Sequence, residues 1–297
     1  VNSIRTALSY AGFTEIREED PWQIERGGKY VVTRNGSALM AFTIPEDDGH
    51  AFRITASHGD SPSFKIKENP ELRDAAYVRL NVEGYGGMIM STWLDRPLSA
   101  AGRIIVSENG TLVSKLVNLD RTTLVIPSVA IHMDRTANGG HAWNIQQDLL
   151  PLYGTADDSL SFMDAVAAAA QVAPENILGH DLYLYSRIEG TLWGERHEFI
   201  SSARLDDLQC AFAAFRGFTA GKKEKHICVY ALFDNEEVGS ATNQGAGATF
   251  LKNTLTRISR SLGYSYDETQ AMIARSFMIS ADNGHALHPN HGEYALA

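Results

Sequence analysis

Residues 232–240, with the sequence LFDNEEVGS, determine how the rest of the chain is interpreted. The apolar run at 226–233 (HICVYALF) is short, rich in apolar and β-branched residues and bounded by charge, as a buried strand is. The run is followed at once by Asp234 and Asn235 and then by Glu236 and Glu237. Ligands bind just beyond the carboxyl ends of strands in open α/β sheets. Two adjacent glutamates there repel each other, and a bound cation would remove that repulsion; the alternative is a solvated acidic turn.

A second predicted strand ends in a histidine. Residues 51–57 (AFRITAS) are predicted to form a strand, and the sequence continues with His58, Gly59 and Asp60. A histidine at a strand end, with an aspartate two residues away, suits a metal ligand whose ring is oriented by a carboxylate. The alternative is a turn in which both side chains face water.

Two further predicted strands lead to aspartates. A short strand at 198–201 precedes Asp206 and Asp207, which stand before a predicted helix. Acidic residues in a first helical turn also suit the helix dipole, so a capping role is the alternative for this pair. The strand predicted at 276–280 (SFMIS), expected to be buried, leads to Asp282. In a mostly parallel sheet such strand ends share one edge, so these carboxylates and the histidine are expected to meet.

The residue types at this edge indicate metal-dependent hydrolysis. Imidazole and carboxylate ligands favour zinc, or manganese and cobalt, over copper. A carboxylate can also bridge two ions, and a free glutamate can act as a base on water. No Gly-x-Ser-x-Gly motif is present, and Cys210 and Cys228 lie in apolar surroundings, which argues against a nucleophilic enzyme. The residues alone do not name a substrate.

The order of predicted elements indicates an α/β domain interrupted by a β-rich insertion. The chain has 297 residues, enough for one large domain or two ordinary ones. Strands and turn residues dominate 71–190, whereas 1–70 and 191–297 mix strands with helices, including a long helix predicted at 241–262. The predicted fold class is therefore α/β, with a mixed sheet and flanking helices and with a β-rich domain inserted into it.

Composition excludes several classes of function. The net charge of −10 argues against non-specific binding of nucleic acid. No apolar run approaches the roughly 20 residues of a membrane span. The two cysteines are predicted to be small core residues of a protein in a reducing compartment, so a cytoplasmic location is expected.

At these same residues the sequence resembles a known family. The blocks SHGDSP at 57–62, ARLDDL at 203–208, LFDNEEVGS at 232–240 and ISADNGHALHPN at 279–290 are similar, in this order and spacing, to the signature blocks of the aspartyl aminopeptidases. That family belongs to the co-catalytic zinc exopeptidases. The segment GYGGMIMSTWLDRPLSAAGRIIV at 84–106 resembles the start of the family's inserted domain, so the resemblance covers nearly the whole chain.

The resemblance implies a fold and an activity. The family fold is an α/β zinc-peptidase domain interrupted by a β-rich dimerisation domain, and dimers usually assemble into a hollow tetrahedral dodecamer. The implied reaction removes the N-terminal residue of a peptide, often Asp or Glu, with two zinc ions in each active site. By the same resemblance, His58 would bind one zinc and Asp282 would belong to the same pair of sites. Asp206 would bridge the two ions, and Glu237 would bind the other zinc.

Four more residues receive roles from the resemblance. Glu236 would be the general base, and Asp60 would support the first metal site. His132, in AIHMDR, would reach into the active site of a neighbouring subunit to hold substrate; without the resemblance it is an ordinary loop histidine. His285 matches the segment of the family that lines the substrate pocket.

The sequence departs from the family after residue 290. Members of the family continue into further strands and helices, which carry the last metal-binding histidine, so the chain is expected to be incomplete at its C-terminus. His291 is a candidate substitute for that ligand. One rival hypothesis is therefore a catalytically impaired homologue that acts as an assembly scaffold. A metal-dependent deacylase or amidase on a related fold is another, and the long inserted domain argues against it.

Overall fold

The fold is described from a computed structural model of the chain, which describes residues 1–157, 159–222 and 225–295. The chain divides into two compact units. Unit 1 comprises Val1–Ser61 and Arg204–Ala297, and unit 2 comprises Pro62–Ala203. The predicted boundaries at 70/71 and 190/191 both fall inside unit 2.

The described residues form fourteen strands and six α-helices. The strands are β1 (Thr14–Glu15), β2 (Lys29–Arg34), β3 (Ala38–Thr43), β4 (Phe52–His58), β5 (Ser63–Arg73), β6 (Tyr77–Tyr85), β7 (Leu98–Glu108), β8 (Thr111–Asn118), β9 (Leu152–Thr155), β10 (Ile177–Ser186), β11 (Thr191–Trp193), β12 (Phe199–Ser201), β13 (Ile227–Phe233) and β14 (Phe277–Ser280). The α-helices are α1 (Asn2–Tyr10), α2 (Ile145–Asp148), α3 (Phe162–Ala170), α4 (Leu205–Ala220), α5 (Phe250–Ser261) and α6 (Tyr266–Ala274).

Unit 1 is built on a six-stranded mixed sheet with the order β1-β2-β3-β13-β4-β14. Strands β13 and β14 both pair in parallel with β4, whereas β3 runs antiparallel to β13. Residues of β3 and β13 are almost all buried, which explains why β13 reads as a continuous apolar run. The parallel pairing brings the carboxyl ends of β4, β13 and β14 to one edge of the sheet.

Helices cover both faces of this sheet. On one face, Leu255 and Ile258 of α5 and Met272 of α6 pack with Phe42 and Val229. On the other face, the buried apolar side chains come from α1, α4 and the sheet; they are Leu8, Leu39, Ala211, Phe218, Tyr230 and Leu232. The predicted α/β class, with a mixed sheet and flanking helices, is confirmed.

Unit 2 contains a six-stranded antiparallel sheet with the order β8-β7-β10-β5-β6-β9. Its core includes Phe64, Leu80, Ile104 and Leu182 from the sheet and Phe162 from α3. Strands β11 and β12 form a separate two-stranded sheet. The β-rich texture of this segment is thus present, and its use as a dimerisation domain stays a prediction.

The first predicted boundary lies at an irregularity within β5. The register between β5 and β6 shifts between Ile66 and Glu71, so the residues in between, Pro70 among them, lack regular ladder partners. Proline cannot donate to a ladder and is tolerated at such irregularities. The change in sequence pattern near residue 71, from mixed strands and helices to mainly strands, therefore coincides with a bulge in β5.

Two predictions about unit 1 were wrong. The helix predicted at 241–262 begins only at Phe250, because the glycine-rich part folds back on itself: a Cβ at Gly245 would meet the Ser240 carbonyl oxygen at 2.2 Å. Strand β14 was predicted to be buried, but Phe277 and Ile279 are 61% and 55% exposed. An apolar run predicts a strand, but it does not say which surfaces cover its two faces.

Unit 2 carries an ion-pair triad on its sheet that makes its stability depend on pH. Asp181 on β10 accepts from Lys65 at 3.0 Å and from Arg103 at 2.8 Å. Burial by itself raises the pKa of Asp181, but hydrogen bonds to Arg103 and Lys65, together with their charges, lower that pKa below its usual value. A carboxyl whose pKa is lower in the folded state stabilises the fold above its unfolded pKa. That stabilisation is lost as pH falls through the folded pKa.

We expect Asp181→Asn to reduce the stability of unit 2 at pH 7 by about 0.5–1 kcal/mol, because these partly exposed pairs are screened by solvent. The difference from wild type should shrink as pH falls from about 4, the usual pKa of an unfolded Asp, through the lower pKa of Asp181 in the folded chain. Calorimetric melting across pH measures this, with Glu175→Gln as a control that changes the same charge at an exposed position. An Asp181→Asn deficit that is unchanged at low pH would contradict the assignment.

Candidate metal centre

Three neighbouring strands and the start of a helix bring acidic side chains to one edge of unit 1. His58 is the last residue of β4, and Phe233, the last residue of β13, lies opposite it in the parallel register. Glu236 and Glu237 follow β13 in a single 3₁₀ turn. Asp282 follows β14, which pairs with β4 on its other side.

Asp206 reaches this edge by a route that sequence analysis did not predict. Among the described residues, the strand that precedes it, β12, pairs with β11 alone, in a separate sheet of unit 2. Asp206 instead lies at the start of α4, where Asp206 and Asp207 depart from helical backbone angles and are joined by a cis peptide bond. Three strand ends and one helix start therefore supply the site.

His58 is the centre of the cluster. Its ring is almost fully buried, and its Nε2 faces three carboxylates: Asp206 Oδ1 at 3.4 Å, Asp282 Oδ1 at 3.7 Å and Glu236 Oε2 at 3.9 Å. The other ring nitrogen, Nδ1, lies 3.2 Å from Asp60 Oδ1. With a proton on Nδ1 donated to Asp60, the neutral ring presents the Nε2 lone pair to the carboxylate side, as a metal-binding histidine does.

Asp60 also holds the loop that carries the two glutamates. Its Oδ1 accepts the main-chain N–H of Glu236 and its Oδ2 accepts that of Glu237, both at 3.2 Å. A single, largely buried carboxylate thus fixes the histidine ring and the glutamate turn relative to each other. This geometry supports the predicted role of Asp60 as a residue that orients the ligands.

Asp207 is a functional candidate to which the sequence analysis gave no individual role beside that of Asp206. It is fully buried, and its Oδ2 accepts the main-chain N–H of His58 at 3.1 Å. Its other oxygen, Oδ1, is buried and accepts no hydrogen bond among the described residues. The signal was the Asp-Asp pair itself, but a capping pair looks the same in sequence.

The turn that carries the glutamates is braced from the far side. Asn235 adopts a left-handed backbone conformation (φ 59°) and accepts a hydrogen bond from Thr242 at 2.7 Å. Asn35, in the turn between β2 and β3, donates to the side chain of Gln244 at 2.8 Å. Arg34 donates to the carbonyl of Asn243 at 3.1 Å. The hairpin of β2 and β3 therefore fixes the loop after β13.

The charges of the cluster shift the pKa values of its members. Burial would lower the pKa of His58, but the hydrogen bond to Asp60 and the charges of Asp207, Asp60 and Glu236 raise it to about 9. Burial, followed by the charge of Asp206, raises the pKa of Glu237 to about 7. The raised pKa of His58 reflects the carboxylates packed around its ring, and that of Glu237 reflects first its burial and then the neighbouring negative charge.

The donor set fits divalent metal ions. His58, Asp206, Asp207 and Asp282 can offer ligand atoms that all lie within 4.8 Å of one another, and His58, Glu236 and Glu237 form a second such group. In the part of the chain that the structure describes, the ion pairs of these aspartates and of Glu236 are all with His58, so neither lysine nor arginine neutralises them. One imidazole among carboxylates is a ligand set that suits zinc, manganese or cobalt.

Three histidines considered from the sequence lie outside these ligand groups. His285 is exposed in the loop after β14, and His132 is exposed in a turn of unit 2. His291 is half exposed and lies 3.2 Å from Glu293. Among the described residues, none of the three belongs to either group of candidate ligands.

A cysteine thiol lies beside the cluster. The Sγ of Cys210, on α4, donates to Asn283 Oδ1 at 3.3 Å. Burial, followed by the neighbouring carboxylate of Asp207, raises the pKa of Cys210 to about 11. Cys210 is therefore a neutral thiol, and Cys210 and Cys228 form no disulfide.

None of the described helices has the length and apolar character that crossing a membrane requires.

Comparison with known proteins identifies the family. A family described as aminopeptidase I zinc metalloprotease (M18) matches residues 1–295. The probable M18 family aminopeptidase 2 of Clostridium acetobutylicum is 44% identical over 304 residues, and the match covers 99% of this chain and 70% of that relative.

Solved structures agree with this match. A chain of the Ape4 and Nbr1 complex superposes with a TM-score of 0.93 and 33% identity, over 98% of this chain and 61% of that one. The S. cerevisiae mApe1 dodecamer gives a TM-score of 0.83 at 28% identity, over 98% of this chain and 69% of that one. The chain thus spans between 61% and 70% of the length of these proteins.

These matches confirm the family resemblance, the zinc-peptidase fold and zinc as the metal of the family. The donor set at the edge of the unit 1 sheet has the residue types that this metal requires. The chain belongs to the M18 family of zinc metalloproteases, the aminopeptidase I family.

Proposed function

We propose that this chain is a zinc-dependent aminopeptidase that removes N-terminal residues from peptides at the edge of the unit 1 sheet. The observation that carries the proposal is the convergence of three carboxylates within 3.9 Å of a single, oriented Nε2 of His58. Membership of the M18 family supplies the reaction class. We further propose that each active site holds two zinc ions and that peptides with an N-terminal Asp or Glu are preferred. Both details rest on the family resemblance.

We assign His58, Asp206, Glu237 and Asp282 to metal binding, and His58 belongs to both groups of candidate ligands. The proposed role of Asp206 as the bridge between two ions rests on the family resemblance. Bound zinc would lower the pKa of a water molecule and polarise the carbonyl of the substrate. Asp207 would act behind them, by holding the main chain of His58 through the 3.1 Å hydrogen bond.

Glu236 is the proposed general base. Its side chain is about half exposed, so it can reach water and substrate, whereas Glu237 is more buried and its pKa is raised by burial and by Asp206. Glu236 would accept a proton from the attacking water and deliver it to the leaving amine. The hydrogen bonds that both main-chain N–H groups donate to Asp60 hold the two glutamates in these different positions.

Assembly is proposed to proceed through unit 2. Unit 2 exposes apolar side chains on its edge strand β8, where Leu112 and Leu116 are each 69% exposed. The S. cerevisiae relative is described as a dodecamer. We propose a homo-oligomer of dimers, a dodecamer in the full assembly, in which His132 reaches the active site of a neighbouring chain.

We also propose a cytoplasmic location, since two cysteines that form no disulfide suit a reducing compartment.

The zinc content of the purified chain tests the site before any activity is measured. After dialysis against zinc and then against buffer, elemental analysis should find two zinc ions per chain, the number that the family resemblance implies for each active site. A single ion would contradict the two-metal mechanism. A folded chain that binds none would contradict the aminopeptidase and favour the assembly scaffold.

Substitution of the two adjacent glutamates separates base from ligand. Glu236→Gln should lower kcat by about 10²–10⁴-fold, the usual contribution of a general base, and leave the zinc content unchanged. Glu237→Gln should lower the zinc content. Peptide hydrolysis and elemental analysis measure both. Normal turnover in Glu236→Gln would exclude Glu236 as the base, and unchanged zinc in Glu237→Gln would exclude Glu237 as a ligand.

Mixed assemblies test whether His132 acts on a neighbouring chain. His132→Ala and Glu236→Gln should each have low activity when purified alone, His132→Ala without loss of zinc. Co-expressed, they should regain activity at up to about a quarter of the sites, because each site then draws on two chains of a symmetric assembly. Activity of the mixture no higher than that of the single variants would contradict a role of His132 in trans.

A further inference from the structure

The spacing of two proposed ligands, Asp206 and Asp282, needs a structural cause. Their Oδ1 atoms lie 3.4 Å and 3.7 Å from the same nitrogen of His58. Both side chains are 57% exposed and carry like charges, so they repel each other. They also come from distant parts of the chain: Asp206 from the start of α4 and Asp282 from the loop after β14.

The side chain of Asn283 connects these two segments. Its Nδ2 donates to the carbonyl oxygen of Leu205, the residue before Asp206, at 2.5 Å. Its Oδ1 accepts from the thiol of Cys210, which lies on α4 after the two aspartates, at 3.3 Å. Both ends of one planar amide thus contact the part of α4 that carries Asp206.

Asn283 also fixes the neighbouring carboxylate directly. Its main-chain N–H donates to Asp282 Oδ1 at 2.7 Å, the same oxygen that lies near His58. The main chain just before is held to the sheet, since Ala281 N donates to the Ala56 carbonyl at 2.8 Å. A single residue therefore orients Asp282 with its main chain and ties Asp206 to it with its side chain.

From these contacts we propose that Asn283 is a positioning residue that sets the separation of Asp206 and Asp282, with the Cys210 thiol as its anchor on α4. The inference rests on the proposed function, because it concerns residues assigned there as zinc ligands. Residues that orient metal ligands from behind contribute about 10–100-fold to metal affinity. Asn283 is expected to act in this range without binding metal or substrate itself.

The test measures metal affinity without any peptide substrate. Asn283→Ala removes both side-chain hydrogen bonds and should weaken zinc binding by about 10-fold or more, as read by competition with a chelator. The cobalt(II) absorption spectrum of the same variant should change, since the ligand geometry changes. Asn253→Ala is the control: it removes one side-chain hydrogen bond, to Thr249, on α5 of the same unit, and should leave zinc affinity unchanged.

Cys210 provides a second, milder pair of variants. Cys210→Ala removes the donor to Asn283 and should weaken zinc binding, whereas Cys210→Ser keeps a donor and should restore it. Cys210 also lies against the carboxylate of Asp207, and a serine would keep that contact too. Zinc affinity is therefore also measured in the double variant Asn283→Ala, Cys210→Ala, whose loss should be no larger than that of Asn283→Ala alone if Cys210 acts through Asn283. Where Asn283→Ala does not fold, an unchanged affinity in Cys210→Ala still overturns the role of Cys210 as the anchor.

The outcomes separate the two proposals. Wild-type protein that binds no zinc would overturn the proposed function, and the role of Asn283 with it. Wild-type protein that binds zinc, with equal affinity in Asn283→Ala, Cys210→Ala and Asn253→Ala, would overturn the positioning role alone. A loss in Asn283→Ala and Cys210→Ala, with recovery in Cys210→Ser, supports it.

Discussion

The architecture of unit 1 depends on holding like charges together. Carboxylates that gather around one imidazole repel one another, and side-chain contacts among them supply no force that keeps them in place. The main chain supplies it. The parallel register places the ends of β4, β13 and β14 side by side, and two buried carboxylates then act on main-chain groups. Asp207 holds the N–H of His58, and Asp60 holds the N–H groups of Glu236 and Glu237.

The parts of the site that sequence predicted are those that a local pattern specifies. His58 directly follows an apolar run, and Glu236 and Glu237 come two residues after another. A short apolar run that ends at polar residues predicts a buried strand with those residues at its end, and both strands are present. The parallel arrangement of β4, β13 and β14 then brings these ends together without any further information. The family resemblance added roles to these residues, and it named a metal that the residue types alone left open among zinc, manganese and cobalt.

The parts that sequence did not predict depend on contacts distant in the chain. In sequence Asp207 has the pattern of a helix cap, whereas in the fold it is fully buried and accepts the main-chain N–H of His58, a residue distant in the chain. The boundary predicted at 70/71 lies at the bulge in β5, because proline with polar neighbours, as at Pro70, also occurs between domains. The capping box of α6, Ser265 with Glu268, was a readable signal for a helix that the sequence analysis passed over. The environment of Asp207 and the bulge in β5 are determined by tertiary contacts and not by local sequence preference.

The buried Oδ1 of Asp207, which accepts no hydrogen bond within the part of the chain that the structure describes, connects this centre to the stability of the protein. A buried carboxylate oxygen without a hydrogen-bond donor costs about 1–3 kcal/mol or more. A cation bound to the cluster would offset the negative charge of Asp207 and so reduce this cost. Any ligand that binds only the folded chain stabilises it, and the stabilisation grows as the concentration of free ligand rises. With zinc as that ligand, cells short of the metal would hold more unfolded chain and degrade it faster. The abundance of the protein would then follow the supply of its own cofactor.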